Sequence, residues 1–238
     1  MSNIPVLEIF GPTIQGEGMV VGQKTMFVRT AGCDYSCAWC DSAFTWDGSA
    51  KEQIRQMSPE EIFSELVQIG GENFSHVTIS GGNPALLKHL GAFISLLQQK
   101  GIRTAVETQG SKWQDWLLAI DEVTISPKPP SSTMITNFAM LDSIIDKLDG
   151  KNISLKVVVF DDQDFVYAKE VHERYPHVPF FLQVGNDDTK TTDDTSLIER
   201  LLMKYEWLID KAVQCKEMND AKVLPQLHAL VWGNKRGV

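Results

Sequence analysis

A chain of 238 residues with 43% hydrophobic and 22% charged residues has ordinary globular composition and enough length for a sizeable core, so no metal is needed merely to make it fold. A net charge of −9 argues against nucleic acid or an anionic membrane as the main partner, because both need a basic face. No apolar run reaches the roughly 20 residues of a membrane span, and Met1-Ser2-Asn3-Ile4-Pro5 has neither the basic nor the apolar region of a secretory signal, so a cytoplasmic location is expected.

In chain order, Val6–Phe10 reads as a short strand. It enters Gly11-Pro12-Thr13-Ile14-Gln15-Gly16-Glu17-Gly18, where the glycines signal either a plain hairpin turn or close approach of the backbone to a ligand. Thr25–Thr30 is strand-like, and Arg29 within it must reach solvent or meet an anion. Ser58-Pro59-Glu60-Glu61 opens a helix with serine as N-cap, proline in the first position and a glutamate that can close a capping box; Ile62, Leu66 and Ile69 follow at helical spacing until Gly70-Gly71. His76–Ser80 is a buried-type strand, followed by a helix to about Lys100. Strands are expected at Arg103–Thr108, Glu122–Ser126, Ser154–Phe160 and Pro179–Val184, with a last strand-like run at Lys222–Leu230. Helices are expected around Trp113–Ile120, Leu141–Leu148, Gln163–Tyr175 and Thr195–Trp207, the last extending to about Lys216.

Alternating helices and apolar strands predict a parallel α/β sheet. Five strand ends carry polar or glycine-rich chemistry: Thr30-Ala31-Gly32-Cys33, Ser80-Gly81-Gly82-Asn83, Glu107-Thr108-Gln109-Gly110, Ser126-Pro127-Lys128 and Gln183-Val184-Gly185-Asn186. Ligands in α/β folds sit at the carboxyl ends of strands, so the five point to one shared mouth. With no repeat, low-complexity tract or linker, residues 1–238 are expected to form a single domain.

Three of the four cysteines, Cys33, Cys37 and Cys40, lie in a C-x3-C-x2-C arrangement, a spacing that can bring three thiolates to one metal centre. A structural zinc site needs a fourth ligand, which Cys215 could supply. Three thiolates on a [4Fe–4S] cluster leave one iron open for an outside ligand. A redox-cycling Cys37/Cys40 pair is a further reading, but it leaves Cys33 unexplained.

This cysteine spacing after a first strand, with Trp39 before the last cysteine, resembles the signature of the radical S-adenosylmethionine superfamily, and Ser80-Gly81-Gly82-Asn83-Pro84 resembles that superfamily's GGEP motif. Ile14-Gln15-Gly16-Glu17-Gly18, Cys40-Asp41-Ser42, Glu107-Thr108-Gln109-Gly110, Ser126-Pro127-Lys128 and Trp232-Gly233-Asn234-Lys235 resemble, more closely, the 7-carboxy-7-deazaguanine synthase family, and its Bacillus-type members most of all. The resemblance runs from Ile9 to Val238. It implies a radical S-adenosylmethionine core, an abbreviated, open partial (β/α)6 TIM-like barrel, with helix reduced to loop around Asp41–Gln56. It implies a carbon–nitrogen lyase of queuosine and 7-deazapurine biosynthesis that converts 6-carboxy-5,6,7,8-tetrahydropterin to 7-carboxy-7-deazaguanine with loss of ammonia. In that family a 5′-deoxyadenosyl radical takes a hydrogen from C6 of the substrate, the ring contracts, and the hydrogen is returned.

The cofactors so implied are a [4Fe–4S] cluster on Cys33, Cys37 and Cys40, S-adenosylmethionine, and magnesium at Ser42. No side chain is implied as an acid or base. Contacts to S-adenosylmethionine are implied for Trp39, Cys40, Asp41, Gly81, Gly82, Asn83, Ser126, Pro127, Lys128, Gln183, Val184, Gly185 and Asn186. Contacts to the pterin are implied for Ile14, Gln15, Gly16, Glu17, Arg29, Ser80, Glu107 and His228. The usual glutamate of the GGEP motif is Asn83 here, and the tail runs past the family's short C-terminus. A homodimer and a flavodoxin-like electron donor are implied as well. An acidic chain receives an acidic donor only at a local basic patch, for which Lys24, Lys128, Lys235 and Arg236 are the candidates. Two other readings stay open from residues alone: a glycyl-radical-type activating enzyme, and a non-catalytic four-cysteine metal-binding protein.

Overall fold

The computed structural model describes residues 3–238. Nine strands form one sheet: β1 (Ile4–Ile14), β2 (Lys24–Thr30), β3 (Arg55–Met57), β4 (His76–Gly81), β5 (Arg103–Thr108), β6 (Glu122–Ile125), β7 (Ile153–Val159), β8 (Phe180–Val184) and β9 (Lys222–Leu224). Their order is β3-β1-β2-β4-β5-β6-β7-β8-β9. β1 runs antiparallel to β2 and β3, and every pair from β2 through β9 is parallel. The helices are α1 (Pro59–Gly70), α2 (Leu90–Gln99), α3 (Phe138–Lys147), α4 (Asp162–Arg174), α5 (Asp194–Val213) and α6 (Leu227–Trp232). The sheet ends on β3 and β9, which do not pair with each other, so the barrel is open. Among the described residues, no helix is long and apolar enough to cross a membrane.

The two faces of the sheet are chemically inverted. Met26, Val28, Val77, Ile79, Val123, Ile125, Leu155, Val157, Leu182 and Val184 point outward into the main core, against Ile62, Leu66, Phe93, Ile94, Leu97 and Ile144 from the helices. Each such fully buried side chain contributes roughly 1.5–3 kcal/mol by leaving water. Many of the alternate positions are buried polar groups: Thr25, His76, Thr78, Glu122, Thr124, Ser154, Lys156 and Gln183. A strand covered by helices on one side and facing a ligand space on the other carries this alternation of period two.

Local signals account for much of the rest. Ser58 Oγ accepts from the Glu61 N–H and Glu61 returns a bond to the Ser58 N–H, so the expected capping box starts α1. Ile69, expected on the buried stripe, is instead 45% exposed, and Gly70 takes the inner position. The Asp41–Gln56 stretch has no α-helix, only 3-10 turns at Ala43–Thr45 and Lys51–Gln53 before the short edge strand β3. β1 does not stop at Phe10. It continues to Ile14 because Gly11 and Pro12 fall in a register shift of the β1–β2 ladder, where proline's missing N–H breaks no regular pairing. The Lys222–Leu230 run is also not one strand. Pro225 interrupts the ladder, leaving β9 and then α6. The helix expected at Trp113–Ile120 is a 3-10 turn over Asp115–Ala119.

At the amino-terminal end of the barrel interior, His76 Nδ1 lies 2.8 Å from Thr25 Oγ1, and Nε2 lies 3.5 Å from Glu122. Burial, with the nearby Arg103 guanidinium, pushes the imidazole down from 6.5 to about 4. The folded state therefore binds this proton less readily than the unfolded chain. Stability due to neutral His76 is complete above about pH 6.5 and is lost as the pH falls toward 4, by about 3 kcal/mol at most. Urea unfolding of the iron-free protein should show this slope, and a His76→Gln variant should flatten it; an equal slope in the variant assigns the effect to other groups.

Candidate active site

The cysteine loop follows β2 directly and is held by backbone bonds. Gly32 N–H donates to Thr45 O, Asn83 N–H to Gly32 O and Ala38 N–H to Ser132 O. The Asn83 and Gln109 amides both donate to Asp34 Oδ1, at 2.9 and 2.7 Å, fixing the loop between its first two cysteines. Cys33, Cys37 and Cys40 all line a cavity of about 460 Å³ at the carboxyl ends of the strands. Burial raises all three thiols, Cys37 to about 11, so unliganded they are protonated near neutrality and a metal must displace the protons. Three sulfur ligands on one short loop, facing a cavity, fit a [4Fe–4S] cluster with one open iron.

They fit a single zinc ion poorly. Bonds of 2.3 Å would draw tetrahedral sulfurs to about 3.8 Å apart. Among the described residues, the group of three metal-ligating side chains whose donor atoms all lie within 4.8 Å of one another is Glu17, Asp41 and His228, not the cysteines. Cys215 lies before β9, at the end of the sheet opposite the cysteine loop, where it contacts Glu217 and the helix-side core. It cannot serve as a fourth ligand, which removes the four-cysteine reading.

β4 ends against this loop. A Cβ on Gly82 would stand 2.2 Å from Gly32 O, and one on Gly81, where φ is +137°, 2.1 Å from Thr30 O. Only glycine allows β4 to close on the cysteine loop here. Asn83, expected at the cofactor, is fully buried and does not line the cavity. Its Oδ1 accepts from Thr108 Oγ1 and the Ala85 N–H, while Nδ2 donates to Asp34 and Ser111. Its side chain braces the loop and turns away from the mouth.

A buried ion network closes the opposite wall. The Gly18–Val20 turn folds into the barrel and packs on β6, β7 and β8. Lys156, 1% exposed on β7, contacts Glu17 from that turn and Glu107 from the end of β5, each at 2.5 Å. Burial pushes the Glu17 carboxyl up, but Lys156, aided by His228, outweighs it and holds the group down at about 2. Burial would lower the Lys156 ammonium, yet the two carboxylates raise it. Glu17 and Lys156 are therefore both charged at neutral pH. Gln15 Oε1 accepts the Gly16 and Glu17 N–H groups, so its remaining capacity is as a donor. His228, expected on a strand, lies on α6, with Nδ1 3.8 Å from Glu17.

Arg29 sits at 2.9 Å from Glu8, donates to Ser42 Oγ at 2.8 Å, and lies over Phe10 and Phe44. The charge therefore has an internal counter-ion and also faces the cavity. Phe10 and Phe27 stack at 4.8 Å, 5° from parallel, giving the cavity a flat aromatic wall. Ser42 Oγ and the adjacent Asp41 carboxylate, 2.9 Å apart, are the hard oxygens that magnesium favours. Lys128 donates to Ser126 Oγ and lies over Trp39, whose indole N–H reaches Ser131.

Ile14, Gly16, Ser80, Ser126 and Lys128 line the cavity, and Pro127 does not. Of Gln183–Asn186 only Asn186 lines it. Val184 points into the helix-side core, and Gly185 gives room to the Phe160 ring, which packs on Trp39. Of the basic-patch candidates, Lys24 begins β2 and so lies at the end of the strand away from the cysteine loop. Arg236 pairs with Glu8 and covers Phe44 at 3.7 Å, bringing the tail from Gly233 to Val238 into the cavity wall. Lys156, Gln226, Trp46 and the Phe10/Phe27 wall were not singled out from sequence. A lysine inside the apolar run Ser154–Phe160 was the one available signal, since a fully buried lysine needs a partner.

A model of the radical SAM superfamily matches residues 27–128. The chain is 82% identical over 238 residues, covering 100% of both chains, to 7-carboxy-7-deazaguanine synthase of Bacillus cereus. It belongs to the 7-carboxy-7-deazaguanine synthase family. The Bacillus subtilis member of the family is 68% identical over 99% of this chain and 98% of its own. The crystal structure of QueE from Escherichia coli superposes with a TM-score of 0.70 at 21% identity, covering 95% of each chain, and supports the partial-barrel fold.

Two outcomes check the cluster assignment. Cys215→Ala should retain the wild-type iron and sulfide content after anaerobic reconstitution, whereas Cys37→Ala should lose most of it. Gly82→Ala should fold less stably and also retain less iron, because the added Cβ meets Gly32 O and the Cys33 side chain.

Proposed function

We propose that this chain converts 6-carboxy-5,6,7,8-tetrahydropterin to 7-carboxy-7-deazaguanine and ammonia, as a radical S-adenosylmethionine lyase of 7-deazapurine and queuosine biosynthesis. One observation carries the reading: the three-cysteine loop and the two carboxylates paired with Lys156, Glu17 and Glu107, line one cavity. When bound, the cluster and S-adenosylmethionine supply a 5′-deoxyadenosyl radical.

The chain's own residues do the positioning. Glu17 and Glu107, each paired with Lys156, accept N–H groups of the pterin ring. The Phe10/Phe27 wall offers a flat apolar surface for that ring. Arg29, already steadied by Glu8, presents its remaining guanidinium donors to the substrate carboxylate. Ser42 Oγ, with the Asp41 carboxylate, would hold magnesium, which would supply a hard cation for the substrate carboxylate. The tail anchored by Arg236 and the Gly18–Val20 turn close the open barrel and limit water at the reacting centre.

The direct test is anaerobic incubation of the reconstituted protein with the carboxypterin, S-adenosylmethionine and dithionite. Ring-contracted product with S-adenosylmethionine regenerated is expected; S-adenosylmethionine cleavage without product sinks the substrate assignment. Arg29→Met should raise KM at least about tenfold, as loss of a charge-assisted contact does. A chelator-treated enzyme should recover activity on adding magnesium. A homodimer and a flavodoxin-like donor complete the proposal. Sedimentation tests the dimer. With Lys24 at the wrong end, Lys128 bonded to Ser126 and Arg236 paired with Glu8, exposed Lys235 is the cation left for docking. Lys235→Glu should slow reduction by flavodoxin but not by dithionite, and equal slowing with both donors removes it from the docking surface.

A further inference from the structure

Gln226 is the N-cap residue of α6, yet its side chain does not cap the helix. It turns back to the glycine turn, where the Leu227 N–H also donates to Gly16 O. Its Nε2 donates to Glu17 Oε1 at 2.9 Å. Glu17 is an ionised carboxylate that can only accept, so the amide orientation is decided by chemistry: the NH2 faces Glu17 and the carbonyl faces elsewhere. That carbonyl, Oε1, is buried without a hydrogen-bond partner, although the residue is only 6% exposed and lines the cavity. A buried acceptor left unpaired is costly, and its natural complement is a donor supplied by a ligand.

The neighbouring groups define what that ligand presents. Glu17 and Glu107 present carboxylate oxygens, each paired with Lys156. Gln15 has its oxygen engaged by two backbone N–H groups, which leaves its NH2 as a donor in the cavity wall. The wall therefore reads acceptor, acceptor, donor. A 2-amino-4-oxopyrimidine offers the reverse along one edge: an exocyclic NH2, a ring N–H and a carbonyl oxygen. We propose that Gln226 is a specificity-determining residue that accepts, through Oε1, an N–H from the 2-amino-4-oxopyrimidine edge of the substrate, beside the Glu17 carboxylate that its Nε2 holds. The inference rests on the pterin reading above and adds to it the residue that distinguishes a 2-amino from a 2-oxo ring. A 2-oxo ring would set a carbonyl oxygen in place of the exocyclic NH2, leaving Gln226 Oε1 facing another acceptor and without a donor.

The test compares 6-carboxytetrahydropterin with its 2,4-dioxo analogue on the cluster-loaded protein with S-adenosylmethionine. Binding is measured anaerobically by calorimetry and turnover is measured in parallel. The wild-type protein should bind the 2-amino compound at least about 100-fold more tightly than the 2-oxo compound. Gln226→Met, close in length but without the amide, should narrow that ratio at least about tenfold and raise KM, with kcat changed by less than about threefold. Gln226→Asn, which withdraws the amide by one methylene, gives the same readout if the methionine variant does not fold. An unchanged binding ratio in the variants, or a fall in kcat at constant KM, overturns the role of Gln226. Wild-type protein that binds the pterin selectively but does not convert it overturns the proposed reaction and leaves the Gln226 assignment to stand on the binding ratio. Wild-type protein that binds neither compound overturns both.

Discussion

A single buried ammonium organises the working face of this protein. Lys156 lies on the interior side of β7, within reach of carboxylates from the amino-terminal turn and from the end of β5. Burying one lysine is unfavourable, and burying it between two glutamates is tolerable only because the pairings are close and other donors complete the carboxylates. Gln226 provides one of those donors and His228 approaches as another. The network thus ties β5, β7, the glycine turn and α6 into one wall, so the ends of the chain meet at the ligand space. Removing Lys156 would leave two like charges facing each other in the cavity wall without their shared cation, which makes the residue structural and functional together.

The opposite wall obeys a different constraint, that of backbone approach. Parallel pairing of β2 with β4 brings Gly81 and Gly82 against the start of the cysteine loop. The amides of Asn83 and Gln109 then hold Asp34, the residue after the first cysteine. Rigid support of this kind suits a cluster that must leave one iron available, because loop movement would alter which position stays open. Trp46 and Gln109 also direct N–H groups at the Cys40 and Cys33 sulfurs, a contact type that tunes cluster potentials. Where a related motif carries glutamate, Asn83 works as an internal brace, which explains how the motif keeps its loop geometry without a charge.

Much of the architecture could be read in advance because it follows from local rules. The capping box of α1, the apolar strands and the glycine-rich strand ends each depend on a few adjacent residues. Misreadings came where proline met a non-local context. Gly11-Pro12 looked like a strand terminus but falls in a ladder irregularity, and Pro225 lay inside an apolar run that it divides into β9 and α6. His228 was picked out by resemblance, yet its place on a helix beside Gly16 depends on that division.

The sequence by itself determined the parallel α/β order and the three-cysteine loop, because these are written in spacing and period; most of the named residues that line the cavity came from the family resemblance, which spacing does not supply. Tertiary structure alone decided their partners. That Cys215 is excluded from the metal loop depends on which end of the sheet a strand begins, and that Asn83 faces Asp34 depends on how β4 meets the loop. Glu17, Lys156 and Gln226, far apart along the chain, became one network only when the barrel closed on its polar interior. Pairings at such separation leave no periodic trace in the residues between them. They arise from buried charges that have only one another to satisfy them.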